Sequence, residues 1–340
     1  MPILLRQPGL VAALVAALAG CAHAPPAGPR AEVAYPPPPA APQARYAGAI
    51  PGEAFEPPRP SALRRLTDLV VGLDAAQAAP LFDQPFGLGA TPGGELLVAD
   101  PDRPQVLRLD LAGQRLSAVE CRGHAWVAPL AVTADEAGSI YVADAGAALV
   151  ARVDADGACA LLGRGELTRP SGVAARAGKV YAADPPRHAV LVLTREGALL
   201  ARLEAAGEPG EPLGFPSAVA LDAGGALLVV DALGARLLRI DEAGRLLGTP
   251  GGPEAERGGL ARPKAVALDA RGRAFVSDGE RARVVALDPS GLAGFWLGGP
   301  GDGPADLSLP AGLAVIGSRL FVADGPRRRI QVYDLLGASS

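Results

Sequence analysis

The chain has 340 residues, 49% of them hydrophobic and 20% charged, with three cysteines and a formal net charge of −4. That length holds two ordinary domains or one all-β barrel or propeller, and the acidic balance argues against a nucleic-acid-binding protein, which usually carries a concentrated basic surface. Asn is absent and Lys is limited to Lys179 and Lys264, while Ala, Gly, Pro and Arg abound. The bias is that of a GC-rich genome, so the scarcity of a residue type says little about function.

Residues 1–20 read as a signal peptide, with Arg6 ahead of the apolar stretch Leu10 to Ala19 and small residues after it. The stretch is too short for a spanning helix, which needs about 20 apolar residues. Leu18-Ala19-Gly20-Cys21 resembles the lipobox of bacterial lipoproteins. The resemblance implies cleavage before Cys21 and lipidation of Cys21, with several acyl chains giving the stable anchoring that one chain does not. Ala22 is not the Asp associated with inner-membrane retention, so an outer-membrane lipoprotein of the cell envelope, facing the periplasm or the surface, is expected. Residues 22–60 contain twelve Pro, including Pro36 to Pro39, and few large aliphatics. Such a segment buries too little surface to offset its ordering entropy, and in polyproline geometry it would reach on the order of 100 Å. The expected plan is a signal peptide over 1–20, a lipidated Cys and disordered Pro-rich stalk over 21–60, and a folded domain over 61–340.

Beyond the stalk the chain repeats. A short apolar run ending in Asp recurs six times: Leu96 to Asp100, Ile140 to Asp144, Val180 to Asp184, Leu227 to Asp231, Ala274 to Asp278 and Leu320 to Asp324. The six Asp are 40 to 47 residues apart. Each run follows a Pro and a small apolar strand, as in Pro170-Ser171-Gly172-Val173-Ala174, and precedes an alternating strand such as Val106 to Asp110. A Gly turn then leads to a fourth strand. Four short strands per repeat make a propeller blade, and six repeats predict an all-β, six-bladed β-propeller. Because Asp100, Asp144, Asp184, Asp231, Asp278 and Asp324 recur in every blade, they are expected to serve the blade, each accepting backbone N–H bonds from the following turn.

This pattern resembles the NHL repeat family, whose units run Pro-x-Gly-x-Ala, an apolar strand to Asp, then Arg-Ile/Val and a strand to Asp-x-x-Gly. The resemblance spans about residues 85–334 and implies four-stranded blades. The last repeat stops after its third strand at Asp334, so an N-terminal segment must supply the missing fourth strand. Residues 64–72 are the expected donor, a closure that protects a sheet edge.

Enzymes occur on related propellers. The peptidyl-hydroxyglycine lyases resemble NHL propellers and use a zinc held by several His, but this domain has only His124 and His188. Gluconolactonase-type propellers hold a divalent metal with acidic and Asn ligands, and Asn is missing here. No G-x-S-x-G elbow or Walker loop occurs, and the Gly-rich stretch Gly298 to Gly303 contains Pro and falls between blades. No catalytic residue, metal site or cofactor is therefore expected. Cys121 and Cys159 leave two readings open, a disulfide of the kind an oxidising periplasm permits or two separate buried thiols.

The turns after the six Asp depart from repetition. They carry Arg103, Arg187, His188, Arg236, Arg281, Arg283, Arg327 and Arg328, and equivalent turns share one face of a propeller. One reading is a basic face for an envelope protein or other acidic ligand; the other is that each Arg pairs with a neighbouring Asp. The expectation is a monomeric, non-enzymatic binding or scaffold propeller, anchored to the membrane through Cys21 and binding no nucleic acid. The alternative is a metal-dependent lyase or lactonase with degenerate ligands.

Overall fold

The computed structural model describes residues 33–37, 39–50, 81–206, 211–251 and 259–337. Six of the antiparallel sheets they form are arranged as the blades of a propeller, and a two-stranded sheet pairs Ala205–Ala206 with Glu211–Pro212. Blade two shows the plan: an inner strand Pro129–Ala134, a second strand Ile140–Asp144, a third Leu149–Val153 and an outer strand Cys159–Leu162. Every second strand is buried along its whole length or all but its first residue. Such strands lie between neighbouring blades and read as unbroken apolar runs for that reason. Hydrophobic clusters accordingly sit between blades rather than at one centre, as where Val190 and Val192 of blade three meet Val229 and Leu238 of blade four.

Small residues set how closely the inner strands approach the axis. A Cβ on Gly312 would come 2.3 Å from the Phe86 carbonyl oxygen, and one on Gly87 the same distance from that of Leu130. The Gly312 N–H donates to that Phe86 oxygen at 2.7 Å, which closes the ring between the last blade and the first.

The closing strand is not residues 64–72. The sheet of blade six continues from Arg329–Leu335 into Ala44–Ile50, then into Ala34–Tyr35. Residues 64–72 lie outside the described residues, as do Cys21 and the signal segment. The expected boundary at residue 60 is corrected with it, because 34–35 and 44–50 of the supposed stalk are strands of the propeller. The reason is physical. The third strand of blade six offers an open edge whose backbone groups need partners, and Tyr35 and Tyr46 both pack edge-on against the buried ring of Tyr333, at 6.0 and 5.7 Å.

Cys121 and Cys159 form a disulfide with a Cα–Cα distance of 5.2 Å. It ties the segment after the outer strand of blade one to the start of the outer strand of blade two. Closing the loop between residues 38 apart removes unfolded-state entropy worth about 4 kcal/mol on a chain-entropy model.

Deleting residues 33–50 should strip blade six to three strands, expose the Arg329–Leu335 edge and lower the melting temperature by more than about 10 °C. Calorimetry on the shortened chain checks this, and an unchanged melt would remove the closing role.

Candidate functional site

The side chains of Asp100, Asp144, Asp184, Asp231, Asp278 and Asp324 are all fully buried. Each accepts two backbone N–H bonds from the segment just ahead of the inner strand of its blade, at 2.6 to 3.3 Å. The donors lie 15 to 17 residues upstream, not chiefly in the following turn. That turn adds only a longer bond, as from Gly234 to Asp231 at 3.3 Å. One donor in every pair is the residue immediately before the inner-strand Pro: Gln84, Ala128, Arg169, Phe215, Arg262 and Leu309.

Those residues stand where the inner strands begin, and Arg169, Phe215 and Arg262 among them line a cavity of about 330 Å³ on the propeller axis. Its floor is a ring of one aliphatic side chain per blade, Leu88, Val132, Val173, Val219, Val266 and Leu313, all buried. The same six line a second cavity toward the opposite face, so the ring separates the two.

Above the floor the wall is unequal around the axis. Blades one and two contribute Phe86 and Leu130, and blade six contributes Ala311. Blade three contributes Arg169 and Ser171, blade four Phe215 and Ser217, and blade five Arg262 and Lys264. Phe215 is 46% exposed. No Asp, Glu, His or Cys lines the cavity. Burial and the neighbouring Arg262 both push the Lys264 ammonium below its ordinary range. The second-strand end of blade five makes room for it: a Cβ on Gly279 would lie 2.7 Å from Lys264 Cε, and Gly279 has no positive φ that would require glycine.

The basic residues expected in the turns lie on this same face, farther from the axis, where carboxylates hold half of them. Arg103 pairs with Asp83 at 3.2 Å, Arg187 with Asp184 at 3.6 Å, Arg236 with Asp231 at 3.1 Å, and Arg327 with Asp302 and Asp324 at 3.6 and 3.9 Å. Arg281 and Arg283 both donate to the Gly259 carbonyl oxygen, and the Arg283 guanidinium lies over Trp296. His188 Nδ1 is 2.6 Å from the Gly214 oxygen. Arg328 is exposed and occupies the left-handed position of its turn, as His188 does in blade three. Ala148, Ala235 and Ala282 take the same conformation at equivalent positions, so that strain belongs to the repeat.

The turns thus share a face, but the cations nearest the axis are Arg169, Arg262 and Lys264. Their signal was position: each flanks the Pro that opens an inner strand. His124 and His188, the zinc candidates, do not converge, since His124 Nε2 bonds Asp144 at 3.0 Å in a separate setting. No group of three or more His, Cys, Asp or Glu suited to a metal occurs among the described residues. The cavity lining therefore does not fit the divalent ion of related enzyme propellers.

No protein-family model matches the chain, and no curated protein matches it. Solved structures do. A catalytically inactive variant of virginiamycin B lyase from Staphylococcus aureus, solved with quinupristin, is 15% identical over 74% of this chain and 95% of its own, with a TM-score of 0.55. A gluconolactonase from Xanthomonas campestris is 19% identical over 75% and 88%, with a TM-score of 0.56. A chain of a nidogen/laminin complex is 20% identical over 63% and 80%, with a TM-score of 0.52. The likeness is one of fold, shared by enzymes and by a protein-binding assembly.

Burial raises the Asp231 carboxyl, but N–H groups of Phe215, Gly214 and Gly234 and the Arg236 guanidinium outweigh it and hold the group below its ordinary range. The fold therefore favours the carboxylate, and its contribution is complete above the unfolded pKa and fades as pH falls through the lower folded value. Asp231→Ala should cost about 2–4 kcal/mol at neutral pH, with the gap to the parent protein narrowing below pH ~4. Urea titrations at several pH values test both parts, and a gap that widens in acid would contradict this reading.

Proposed function

We propose that this protein is a non-enzymatic binding propeller of the bacterial cell envelope, anchored through Cys21, which captures an acidic envelope protein on the face bearing the inner-strand mouths and the Asp turns. One observation carries the reading. This face sets exposed cations beside exposed apolar side chains, Arg169, Arg262, Arg281 and Arg328 alongside Phe215, Leu233 and Leu309. Leu233 is 76% exposed. Rigid apolar anchors and Arg together are the composition of binding hot spots, and like-signed charge draws in an opposite partner and fixes its register. The recurrence of apolar strand to Asp, the NHL-like feature of the sequence, supports a role as an interaction platform by fold-level analogy only.

The anchor reading supports an envelope setting and also revises its geometry. The chain from Cys21 to the first described strand at Ala34 is short. About a dozen residues reach roughly 40 Å even when extended, so the propeller would work close to the membrane.

Reversing Arg187, Arg281 and Arg328 together to Glu should reduce in-cell crosslinks from a photoreactive residue at Leu233 by more than about tenfold. The Arg187 reversal sets a carboxylate beside buried Asp184 and lowers the melting temperature, so circular dichroism at the growth temperature is used to show that the propeller is still folded. Cys21→Ser should move the protein from membrane to soluble fractions. Undiminished crosslinking by the triple variant would overturn the binding face, and membrane retention by Cys21→Ser would overturn the anchor.

A further inference from the structure

We infer that the axial cavity on this face is a specific site for a small amphipathic acid, a carboxylate or phosphate carried on a single apolar ring or a short chain. The inference rests on the binding reading above and adds to it a ligand class.

The distribution of side chains around one structural position makes the case. In each blade the residue after the inner-strand Pro lines the cavity, and on blades three, four and five the residue before it does so too, so nine positions related by the repeat form its wall. On blades six, one and two these are Ala311, Phe86 and Leu130. On blades three and five they are Arg169 and Ser171, and Arg262 and Lys264. The wall is thus apolar on one side of the axis and cationic on the other, with Phe215 between the two cationic blades. A uniformly basic mouth would fit any polyanion. A divided one fits a molecule that is itself divided.

Three further features indicate a built site. Among the described residues no carboxylate pairs with Arg169, Arg262 or Lys264, whereas Arg103, Arg187, Arg236 and Arg327 on the same face are each paired. Gly279 leaves the space along which the Lys264 stem runs. The aliphatic ring forms the floor and Lys264 above it is half-buried, so a ligand acid would meet that ammonium where water is partly excluded and a charge-assisted hydrogen bond is strengthened. The volume of about 330 Å³ lies at the small end of ligand sites, which run about 300–1,000 Å³. That size suits one ring with its acid group and excludes a folded partner, although an acidic side chain of a partner would share the chemistry.

The test uses the chain without residues 1–21, which keeps the whole compact unit Val33–Ser340. Isothermal titration calorimetry is run with 3-phenylpropionate, phenyl phosphate and the neutral 3-phenyl-1-propanol. One acid or both should bind saturably at one site, about tenfold or more tighter than the alcohol, and the tighter of the two acids identifies the headgroup. Arg262→Gln and Lys264→Met should each weaken the acid about tenfold and leave the alcohol unchanged. Arg271→Gln, on an exposed turn away from the cavity, should change neither. Equal binding of acid and alcohol, acid binding indifferent to Arg262→Gln and Lys264→Met, or no saturable binding of either acid would each overturn the inference. A charge-dependent acid site in a protein whose crosslinks survive the Arg187, Arg281 and Arg328 reversals would overturn the protein-capture reading alone. Lost crosslinks beside charge-independent acid binding would overturn the cavity assignment alone.

Discussion

Each blade hangs on one buried carboxylate. The Asp that ends a second strand reaches across to the chain entering the inner strand and takes two consecutive N–H groups there, the second from the residue before Pro. Proline explains why this residue is the natural target. The Pro itself has no N–H to give, and it holds the residue before it in an extended conformation. Without an acceptor, two donors would be left at the point where the chain turns into the ring. Each unsatisfied buried donor costs about 1–3 kcal/mol, so the Asp matters most as insurance against that loss, repeated six times. In blade four the surrounding N–H groups and the Arg236 guanidinium outweigh burial and hold the Asp231 carboxyl below its ordinary range.

The clamp also separates what is fixed from what is free. Its bonds run to backbone atoms, so the side chain of the clamped residue is left to point where the repeat aims it and to be whatever suits the blade. Deeper along the same strands the choice disappears. The position two after Pro is Gly or Ala in all six blades, because neighbouring strands approach too closely for more, and the next is always Leu or Val. Variation is therefore confined to the mouth, above a floor that the fold dictates. A rigid scaffold carrying variable loop positions is where binding residues concentrate.

The period made the blades legible in the sequence, since a run to Asp repeated six times leaves few other folds. The closing strand was not legible in the same way. Ala44-Arg45-Tyr46-Ala47-Gly48-Ala49-Ile50 lies in a Pro-rich setting and has Ile50 as its one large aliphatic residue, whereas 64–72 has Leu66, Leu69, Val70 and Val71. Pairing with an open edge and packing on Tyr333 decide the matter, and neither is a local property. The disulfide was hidden for a related reason. Cys121 lies late in the outer part of one blade and Cys159 early in that of the next, which in the linear alignment suggests opposite ends, but the chain after Ala118 bends so that the two Cα atoms meet at 5.2 Å. The charged turns were legible as sharing a face. Pairing of the arginines with neighbouring Asp was one of the two readings of these turns, and it holds for Arg103, Arg187, Arg236 and Arg327; what the turns do not reveal is distance from the axis.

Lys264 is the residue that the fold least requires. At the equivalent position the other blades place Phe86, Leu130, Ser171, Ser217 and Ala311, so a propeller of this sequence closes without a cation there. Ser171 and Ser217 even gain a structural bond from the position, each hydroxyl donating to a carbonyl of the next blade at 2.9 and 3.1 Å. Lys264 has no such bond, loses hydration to its surroundings and stands near the like charge of Arg262. Each of these effects opposes folding. A side chain that destabilises its own charged form in the one wall position where five neighbours show alternatives is most simply explained by the molecule it receives. An anion arriving in the cavity would reverse all three effects together, supplying a hydrogen-bond acceptor, restoring the solvation lost to burial and screening Arg262 from Lys264.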